Sequence, residues 1–250
     1  MTRRRPAGLI VDLDDTLYPQ AEFLAAAWDA VADAGAELGQ DRAALRAALD
    51  RICAEGSDRG RIVDRALAAL GCHEPGTARQ LVDVFRAFRP RTLTPYPGVA
   101  EQLARLAESV PVVVLTDGNP EQQRAKLAAT GLAPLVSHLV CTDALPGGRS
   151  ARKPAPDGFR HALALLGCRP VDAFVLGDRP DKDVLGAARL GIPVFRVRQG
   201  EYRELPDLPE ALTARELTAV RGVDRTPDAL ALLLAHVEGF AASRAEEERP

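Results

Sequence analysis

Three acidic residues and a threonine follow the first apolar segment of the chain. Residues 12–16 read Asp-Leu-Asp-Asp-Thr and come directly after Gly-Leu-Ile-Val at 8–11. Because alternate side chains of an extended segment point to the same side, we expect the carboxylates of Asp12 and Asp14 to lie next to each other. Two carboxylates that close need a cation, or one of them must hold a proton. A strand-to-turn junction with capping Asp and Thr is the simpler interpretation of this segment alone.

Two further polar clusters follow apolar runs later in the chain. Residues 116–118, Thr-Asp-Gly, precede a predicted helix, where free backbone N–H groups can bind an anion, although the same residues also form a good turn. Residues 177–183 read Gly-Asp-Arg-Pro-Asp-Lys-Asp, and three acids around a tight turn suit oxygen ligation of a hard divalent cation. A solvated turn is the alternative for this last cluster.

Lys153 is unusual for the composition of this chain. The sequence has 32 Lys and Arg residues, of which only Lys126, Lys153 and Lys182 are lysines, so 29 are arginines. Lys153 stands in Arg-Lys-Pro-Ala-Pro, just ahead of a predicted helix. The lysine ammonium is a compact point charge, whereas the guanidinium group is a planar fork. The position therefore favours a role that needs a compact charge, while a surface lysine is the simpler explanation of the residue in isolation.

Apolar runs and helical patterns alternate along most of the chain. Four short apolar runs are typical of parallel strands that are buried on both faces, at residues 8–13, 111–115, 173–176 and 193–197. Helical patterns occur between them, at residues 99–108, 120–130, 156–166 and 181–190. The alternation predicts an α/β fold with a doubly wound parallel sheet. The carboxyl ends of its strands would bring the polar clusters together.

One region interrupts this alternation just after the first strand. It is rich in Ala, Leu and Arg and has apolar residues at helical spacing in four segments, at 21–38, 42–55, 59–70 and 77–88. We therefore predict a core domain formed by residues 1–17 and 96–250, with an inserted all-helical domain at residues 18–95. Trp28 is expected to pack between the inserted helices, since large aromatic side chains dominate helical interfaces.

Composition excludes several classes of function. The chain of 250 residues has a net charge of −3, which provides no basic field for a nucleic-acid partner. No stretch approaches the roughly 18 apolar residues of a membrane span, and the apolar run near the start is too short for a signal peptide. The four cysteines are scattered, so neither a zinc site nor a disulfide framework is indicated. We expect a cytoplasmic monomer or homodimer that does not bind membranes.

Taken in chain order, the polar clusters resemble the four motifs of the haloacid dehalogenase superfamily. The matching residues are Asp12-x-Asp14-x-Thr16, Thr116, Lys153 and Gly177-Asp178-x-x-x-x-Asp183. The resemblance covers most of the chain and implies a Rossmann-like core, with the helical insert as a C1-type cap domain. Residues 12–19, Asp-Leu-Asp-Asp-Thr-Leu-Tyr-Pro, are most similar to the phosphatase and nucleotidase branch.

The resemblance also implies a role for each motif residue in a Mg²⁺-dependent phosphatase that acts on a small phosphorylated metabolite, such as a nucleotide or sugar phosphate. Asp12 would form an aspartyl-phosphate, and Asp14 would act as general acid and base. Mg²⁺ would be held by Asp12, the backbone carbonyl of Asp14 and Asp178. Asp183 would support the ion through its direct ligands or through a water molecule. The phosphate would be bound by the Thr116 hydroxyl, the N–H groups of Asp117 and Gly118, and Lys153, which also offsets negative charge beside Asp12.

Two departures from the family pattern and three rival functions remain. Asp117 stands where family members often have Asn, and the loop at 143–152 is a few residues longer than usual, with Arg149 and Arg152 either near an anionic substrate or solvated. A sugar-phosphate mutase would share the whole site. A 2-haloacid dehalogenase would need no acid at Asp14 and no metal. A phosphorelay receiver is about half this length and has no helical insert. The insert carries no polar pattern that specifies a substrate.

Overall fold

A six-stranded parallel sheet forms the centre of the larger of two compact units. The computed structural model describes residues 7–208 and 220–247. The strand order is β3-β2-β1-β4-β5-β6, and every neighbouring pair is parallel. The predicted α/β class with a doubly wound parallel sheet is confirmed. The strands are β1 Gly8–Val11, β2 Val112–Thr116, β3 His138–Cys141, β4 Ala173–Gly177, β5 Val194–Val197 and β6 Val220–Val223.

The register of the central strands aligns their carboxyl ends. Val11, the last residue of β1, is paired with Val114 on one side and with Leu176 on the other. All residues of β1 and β2 are buried. Since alternate residues of a strand point to opposite faces, both faces of the sheet are covered, which explains the continuous apolar runs. The polar residues that follow β1, β2 and β4 therefore emerge at one edge of the sheet.

Within the described part of the chain, five α-helices belong to the same unit as the sheet. Pro120 and Pro156 each occupy the first helical position, where the missing N–H has no intrahelical partner to lose. Phe159 is fully buried and packs against the sheet with Ile10 and Val113. The helices are α5 Val99–Ala107, α6 Pro120–Ala129, α7 Pro156–Leu166, α8 Leu185–Arg189 and α9 Thr226–Glu247.

The second compact unit, Gln20–Leu93, contains only helices. Its core is formed by apolar residues of all four helices, and the Trp28 ring stacks on Phe85 with 4.5 Å between centroids. The predicted packing role of Trp28 is therefore confirmed. The other unit holds the chain up to Pro19 and from Thr94 onward, so the predicted boundaries at 17/18 and 95/96 differ from this division by two residues each. The helices are α1 Gln20–Glu37, α2 Arg42–Cys53, α3 Ile62–Ala69 and α4 Pro75–Ala87.

The structure differs from the predicted elements in three places. Strands β3 and β6 were not predicted, because each has only four residues and neither is a continuous apolar run; β6 contains Arg221 and Gly222 and lies at the edge of the sheet. The single helix predicted at 181–190 is a π-helical turn, Pro180–Val184, followed by α8.

Among the described residues, no helix is long and apolar enough to cross a membrane.

Candidate active site

Asp12, Asp178 and Asp183 form a buried group of carboxylates at the carboxyl edge of the sheet. Each offers an oxygen atom, and these atoms all lie within 4.8 Å of one another. The backbone N–H of Asp12 donates to the Leu176 carbonyl at 2.9 Å, which ties the residue after β1 to the end of β4. The first and fourth sequence motifs are thus brought together, as the strand register predicts.

Lys153 bridges two members of this acidic group. Its Nζ lies 2.5 Å from Asp12 Oδ1 and 2.6 Å from Asp183 Oδ1, and it also donates to the Leu115 carbonyl at 3.2 Å. The side chain of Lys153 is 4% exposed, so the surface-lysine interpretation is wrong. The compact ammonium occupies a space that two carboxylates and a carbonyl surround.

The charges of this group leave room for a further cation. Three carboxylates share one ammonium group, so the sum of formal charges is −2 when all are ionised. Burial raises the pKa of Asp12 to about 7; the nearby Lys153 opposes this rise and Asp183 adds to it. Burial, followed by the charges of Asp12 and Asp183, raises the pKa of Asp178 well above its ordinary value. A hard divalent cation with oxygen ligands fits this donor set, because it would let the carboxylates ionise together.

Gly177 and Arg179 allow the Asp183 side chain to reach the group. A Cβ atom on Gly177 would lie 2.4 Å from Asp183 Cγ, so only glycine permits this approach. Asp183 Oδ2 accepts the backbone N–H of Arg179 at 3.1 Å, and the π-helical turn carries Asp183 back over the end of β4. The glycine and the four-residue gap of the fourth motif therefore have a geometric cause.

Asp14 lies apart from that group, and its carboxylate is held by other side chains. Lys126 Nζ lies 2.9 and 3.0 Å from the two carboxylate oxygens, Gln123 Nε2 donates to Oδ2 at 3.0 Å, and the Tyr18 hydroxyl donates to Oδ1. Burial would raise the pKa of Asp14, but Lys126 and the hydrogen bond from Tyr18 outweigh it and lower the pKa below its ordinary value.

Gln123, Lys126 and Tyr18 were not predicted as site residues. The scarcity of lysine in the sequence was a signal that could have pointed to Lys126. In the structure, each of the three lysines of the chain contacts an aspartate of the predicted site. Lys126 contacts Asp14 and Lys153 contacts Asp12, while Lys182 Nζ lies 3.4 Å from Asp117 Oδ2. The scarcity of lysine that singled out Lys153 therefore applied to all three. Nothing in the sequence near Gln123 distinguishes it from an ordinary helical residue.

The turn after β2 contains the remaining predicted phosphate ligands. The Thr116 side chain is buried, and its Oγ1 lies 2.5 Å from Gln123 Nε2. Asp117 directs its carboxylate toward the third motif, since Oδ1 accepts the Thr142 hydroxyl at 2.9 Å and the backbone N–H of Lys153 at 3.0 Å. Gly118 adopts a positive φ of 121°, which suits glycine, and α6 begins two residues later.

The long loop at 143–152 is closed by a bidentate ion pair. Arg152 Nε and Nη2 each lie 2.6 Å from a carboxylate oxygen of Asp143. This pairing and the hydrogen bonds of Arg152 lower the pKa of Asp143, although burial opposes the change. Arg152 is thus neither simply solvated nor directed at the acidic group; it is engaged within its own loop.

A loop after β5 supports the first motif and was not predicted to do so. Gln199 Nε2 donates to the backbone carbonyls of Asp15 and Thr16, and the N–H of Glu201 donates to Asp15 Oδ2 at 2.9 Å. The fully buried Arg196 holds this loop by donating to the Tyr202 carbonyl at 2.7 Å. Asp15 itself has a left-handed φ of 55°, a conformation that Asp tolerates better than most residues.

Comparisons with known proteins agree with this architecture. The chain is 29% identical over 207 residues to a glyceraldehyde 3-phosphate phosphatase from Methanocaldococcus jannaschii, covering 80% of this chain and 88% of that protein. It is 36% identical over 169 residues to a phosphoserine phosphatase from Thermus thermophilus, covering 66% of this chain and 64% of that protein. The fold is similar to that of an L-2-haloacid dehalogenase from Xanthobacter autotrophicus, with a TM-score of 0.57, 22% identity and coverage of 91% and 98%.

The family model for haloacid dehalogenase-like hydrolases matches residues 6–191, which include β1 to β4 and every predicted motif. This span contains the buried acidic group, the lysine between its members and the turn after β2. The motif resemblance is therefore confirmed at the level of the family, and the protein belongs to the haloacid dehalogenase-like hydrolases.

Proposed function

We propose that the protein is a Mg²⁺-dependent phosphatase that hydrolyses a small phosphate monoester through an aspartyl-phosphate on Asp12. The observation that carries the proposal is the buried Lys153 ammonium between Asp12 and Asp183, with the separate carboxylate of Asp14 two residues after the nucleophile. An anionic nucleophile and a phosphate dianion repel each other unless cations neutralise both. The acidic group would hold one cation, and the Lys153 ammonium is a second positive charge beside Asp12.

The carboxylates of Asp12 and Asp178 and the backbone carbonyl of Asp14 would hold Mg²⁺, with Asp183 supporting the site. When bound, the ion would supply positive charge that draws phosphate oxygens toward the nucleophile. Asp183 already accepts Lys153, so its second function is to hold that ammonium in place beside Asp12. Each residue of the group is buried, which strengthens these charge interactions relative to water.

Asp12 would attack phosphorus with one carboxylate oxygen, and the bond from phosphorus to the leaving alkoxide oxygen would break. Asp14 is ionised before substrate binds, because Lys126 and Tyr18 outweigh burial and lower its pKa, so it would take up a proton with the substrate and donate it to that oxygen. It would then remove a proton from the water that hydrolyses the acyl phosphate. The Thr116 hydroxyl, the N–H groups of Asp117 and Gly118, and Lys153 would bind the phosphate oxygens. These assignments follow the family motifs, and the convergence of the side chains at one edge of the sheet supports them.

The relatives favour a substrate of low molecular mass. The similar proteins from Methanocaldococcus jannaschii and Thermus thermophilus are phosphatases of glyceraldehyde 3-phosphate and of phosphoserine. We therefore place three-carbon phosphate esters first among the substrates to be tested, ahead of nucleotides and larger sugar phosphates. We also propose that the helical unit is the C1-type cap of this enzyme, and that the protein is cytoplasmic and acts as a monomer or homodimer.

Two rival reactions are less well supported. A haloacid dehalogenase would not use a proton donor, yet the structure surrounds Asp14 with three side chains that hold its carboxylate. A sugar-phosphate mutase would use the same residues but return the phosphoryl group to a sugar. The products separate the two reactions, because only a phosphatase releases inorganic phosphate in proportion to substrate consumed.

The experiment measures phosphate release from a panel of phosphate monoesters with Mg²⁺ present, for the wild type and for Asp12→Asn. The amide is nearly isosteric with the carboxylate but a poor nucleophile, so turnover should be abolished while the protein remains folded. Asp181→Asn is a control for the exchange itself, because this aspartate lies in the turn between Asp178 and Asp183 but its side chain is 55% exposed and paired with Arg179. Retained turnover in Asp12→Asn would refute the proposal.

A further inference from the structure

Helix α6 places two polar side chains over the first motif. Gln123 and Lys126 are three residues apart, so they lie on the same face of the helix. Both are buried, at 2% and 4% exposure, although glutamine and lysine are rarely buried without a specific partner. Their partners are Asp14 and Thr116, which belong to the first and second motifs.

The two residues occupy both oxygen atoms of the Asp14 carboxylate. Lys126 Nζ reaches Oδ1 at 2.9 Å and Oδ2 at 3.0 Å, and Gln123 Nε2 donates to Oδ2 at 3.0 Å. A carboxylate with one contact can rotate about its χ2 torsion, whereas one held at both oxygens from a helix cannot. The orientation of Asp14 is therefore determined by α6 together with the Tyr18 hydroxyl, which donates to Oδ1.

Gln123 also orients the Thr116 hydroxyl. Its Nε2 group faces the Asp14 carboxylate, which can only accept, and lies 2.5 Å from Thr116 Oγ1. Because the amide donates to it, the Thr116 oxygen is an acceptor in this contact, and its own hydrogen makes only a long contact of 3.5 Å with the Asp117 carbonyl, which a better acceptor could replace. An anion bound at the turn after β2 would be such a partner.

The geometry points to Lys126 and Gln123 as positioning residues that hold Asp14 for proton transfer to the leaving group. This inference rests on the proposed phosphatase function. The helix that carries them begins directly after the phosphate-binding turn, where Asn119 accepts the N–H groups of Glu121 and Gln122 at 3.0 and 3.1 Å. One rigid element thus sets the distance from the phosphate-binding turn to the acid.

The test uses Lys126→Met, which is one atom shorter than lysine, keeps its unbranched shape and removes its charge and hydrogen bonds. The measured quantity is kcat/KM, because it reports the steps up to release of the leaving group. For an alkyl phosphate, whose leaving group needs a proton, we expect a loss on the order of a hundredfold, as for a misplacement of about 1 Å. For p-nitrophenyl phosphate, whose leaving group needs little protonation, we expect a loss below about threefold.

Three controls accompany this variant. Arg124→Met removes a positive charge from the exposed side of the same helix and should leave both substrates unaffected. Asp14→Asn should show the same dependence on the leaving group as Lys126→Met. In the Asp14→Asn background, Lys126→Met should cause no further loss of kcat/KM, since the residue acts through Asp14.

Equal losses for the two substrates, or a loss that persists in the Asp14→Asn background, would overturn the inference, because a purely structural role predicts both. If Lys126→Met does not fold, Lys126→Gln decides by the same comparison, since it removes the charge beside Asp14 and leaves the contact of Gln123 with Thr116 in place. Failure of the proposed function gives a different result: the wild type would then turn over neither substrate. With an active wild type, failure of the inference would appear only in the variants.

Discussion

The carboxylate of Asp117 accepts the backbone N–H of Lys153 at 3.0 Å. Its other oxygen faces the Lys182 ammonium at 3.4 Å, so an aspartate stands here with a lysine beside it to balance the charge. Asp117 therefore positions the segment that carries Lys153, and Lys153 in turn reaches Asp12 and Asp183. Lys182 therefore provides a charge partner for Asp117, which stands where family members often have Asn.

Asp117→Asn should be mild, whereas Asp117→Ala should be damaging. The asparagine Oδ1 atom can still accept from Thr142 and Lys153, and only the partly exposed pair with Lys182 is lost, worth about 0.2–1 kcal/mol. Alanine leaves the backbone N–H of Lys153 without its acceptor, at a cost of about 1–3 kcal/mol. Chemical denaturation measures both changes, and equal effects of the two variants would show that Asp117 does not act through this hydrogen bond.

Lys153→Arg should lower turnover about as much as Lys153→Ala, on the order of a hundredfold. The Lys153 side chain is 4% exposed and its Nζ is enclosed by two carboxylates and a carbonyl, so the larger planar guanidinium cannot occupy the position without displacing one of them. Lys182→Arg is the matched control, because its ammonium is more exposed, at 23%, and should tolerate the exchange. Turnover of Lys153→Arg within about threefold of wild type would show that Lys153 has no catalytic role.

Removal of divalent metal should suppress turnover, and Mg²⁺ should restore it. Asp12, Asp178 and Asp183 present oxygen atoms within 4.8 Å of one another, with a single ammonium to balance them. Ca²⁺ should support turnover poorly, because it favours more ligands and longer bonds than Mg²⁺. Phosphate release before and after exhaustive chelation tests this expectation, and full phosphate release by the chelated enzyme would contradict a metal-dependent phosphatase.

Thiol reagents should not inactivate the enzyme at pH 8. Burial raises the pKa of the Cys141 thiol to about 11, so this residue, at the end of β3, stays protonated and unreactive there. The thiolate is the reactive form, so its alkylation should accelerate only as the pH approaches 11. Mass spectrometry after treatment with N-ethylmaleimide measures the modification of each cysteine. Modification of Cys141 at pH 8 as fast as that of an unperturbed thiol would contradict the raised pKa.

The fold class followed from the sequence because the physics that buries a parallel strand is local. A strand covered on both faces must be apolar throughout, which made β1, β2, β4 and β5 visible as runs and made the polar residues after them conspicuous. The four inserted helices were visible for the same kind of reason, through apolar residues at helical spacing. Strands β3 and β6 lacked that signal, since the neighbouring strand and not their composition holds them in the sheet.

For the site, the residue types and their order along the chain indicated Asp12, Asp14, Thr116, Lys153 and the acids after β4 as candidates, because each stands where an apolar core does not need it. The resemblance to the family implied their roles. Only the tertiary structure decided which side chains hold these residues in position. Gln123 and Lys126 are 109 and 112 residues from Asp14 in the chain, and no local pattern relates them. They meet because β2 pairs with β1, so the helix that leaves β2 begins beside the residues that follow β1. Contacts across such a separation depend on strand order, which hydrophobic periodicity does not encode.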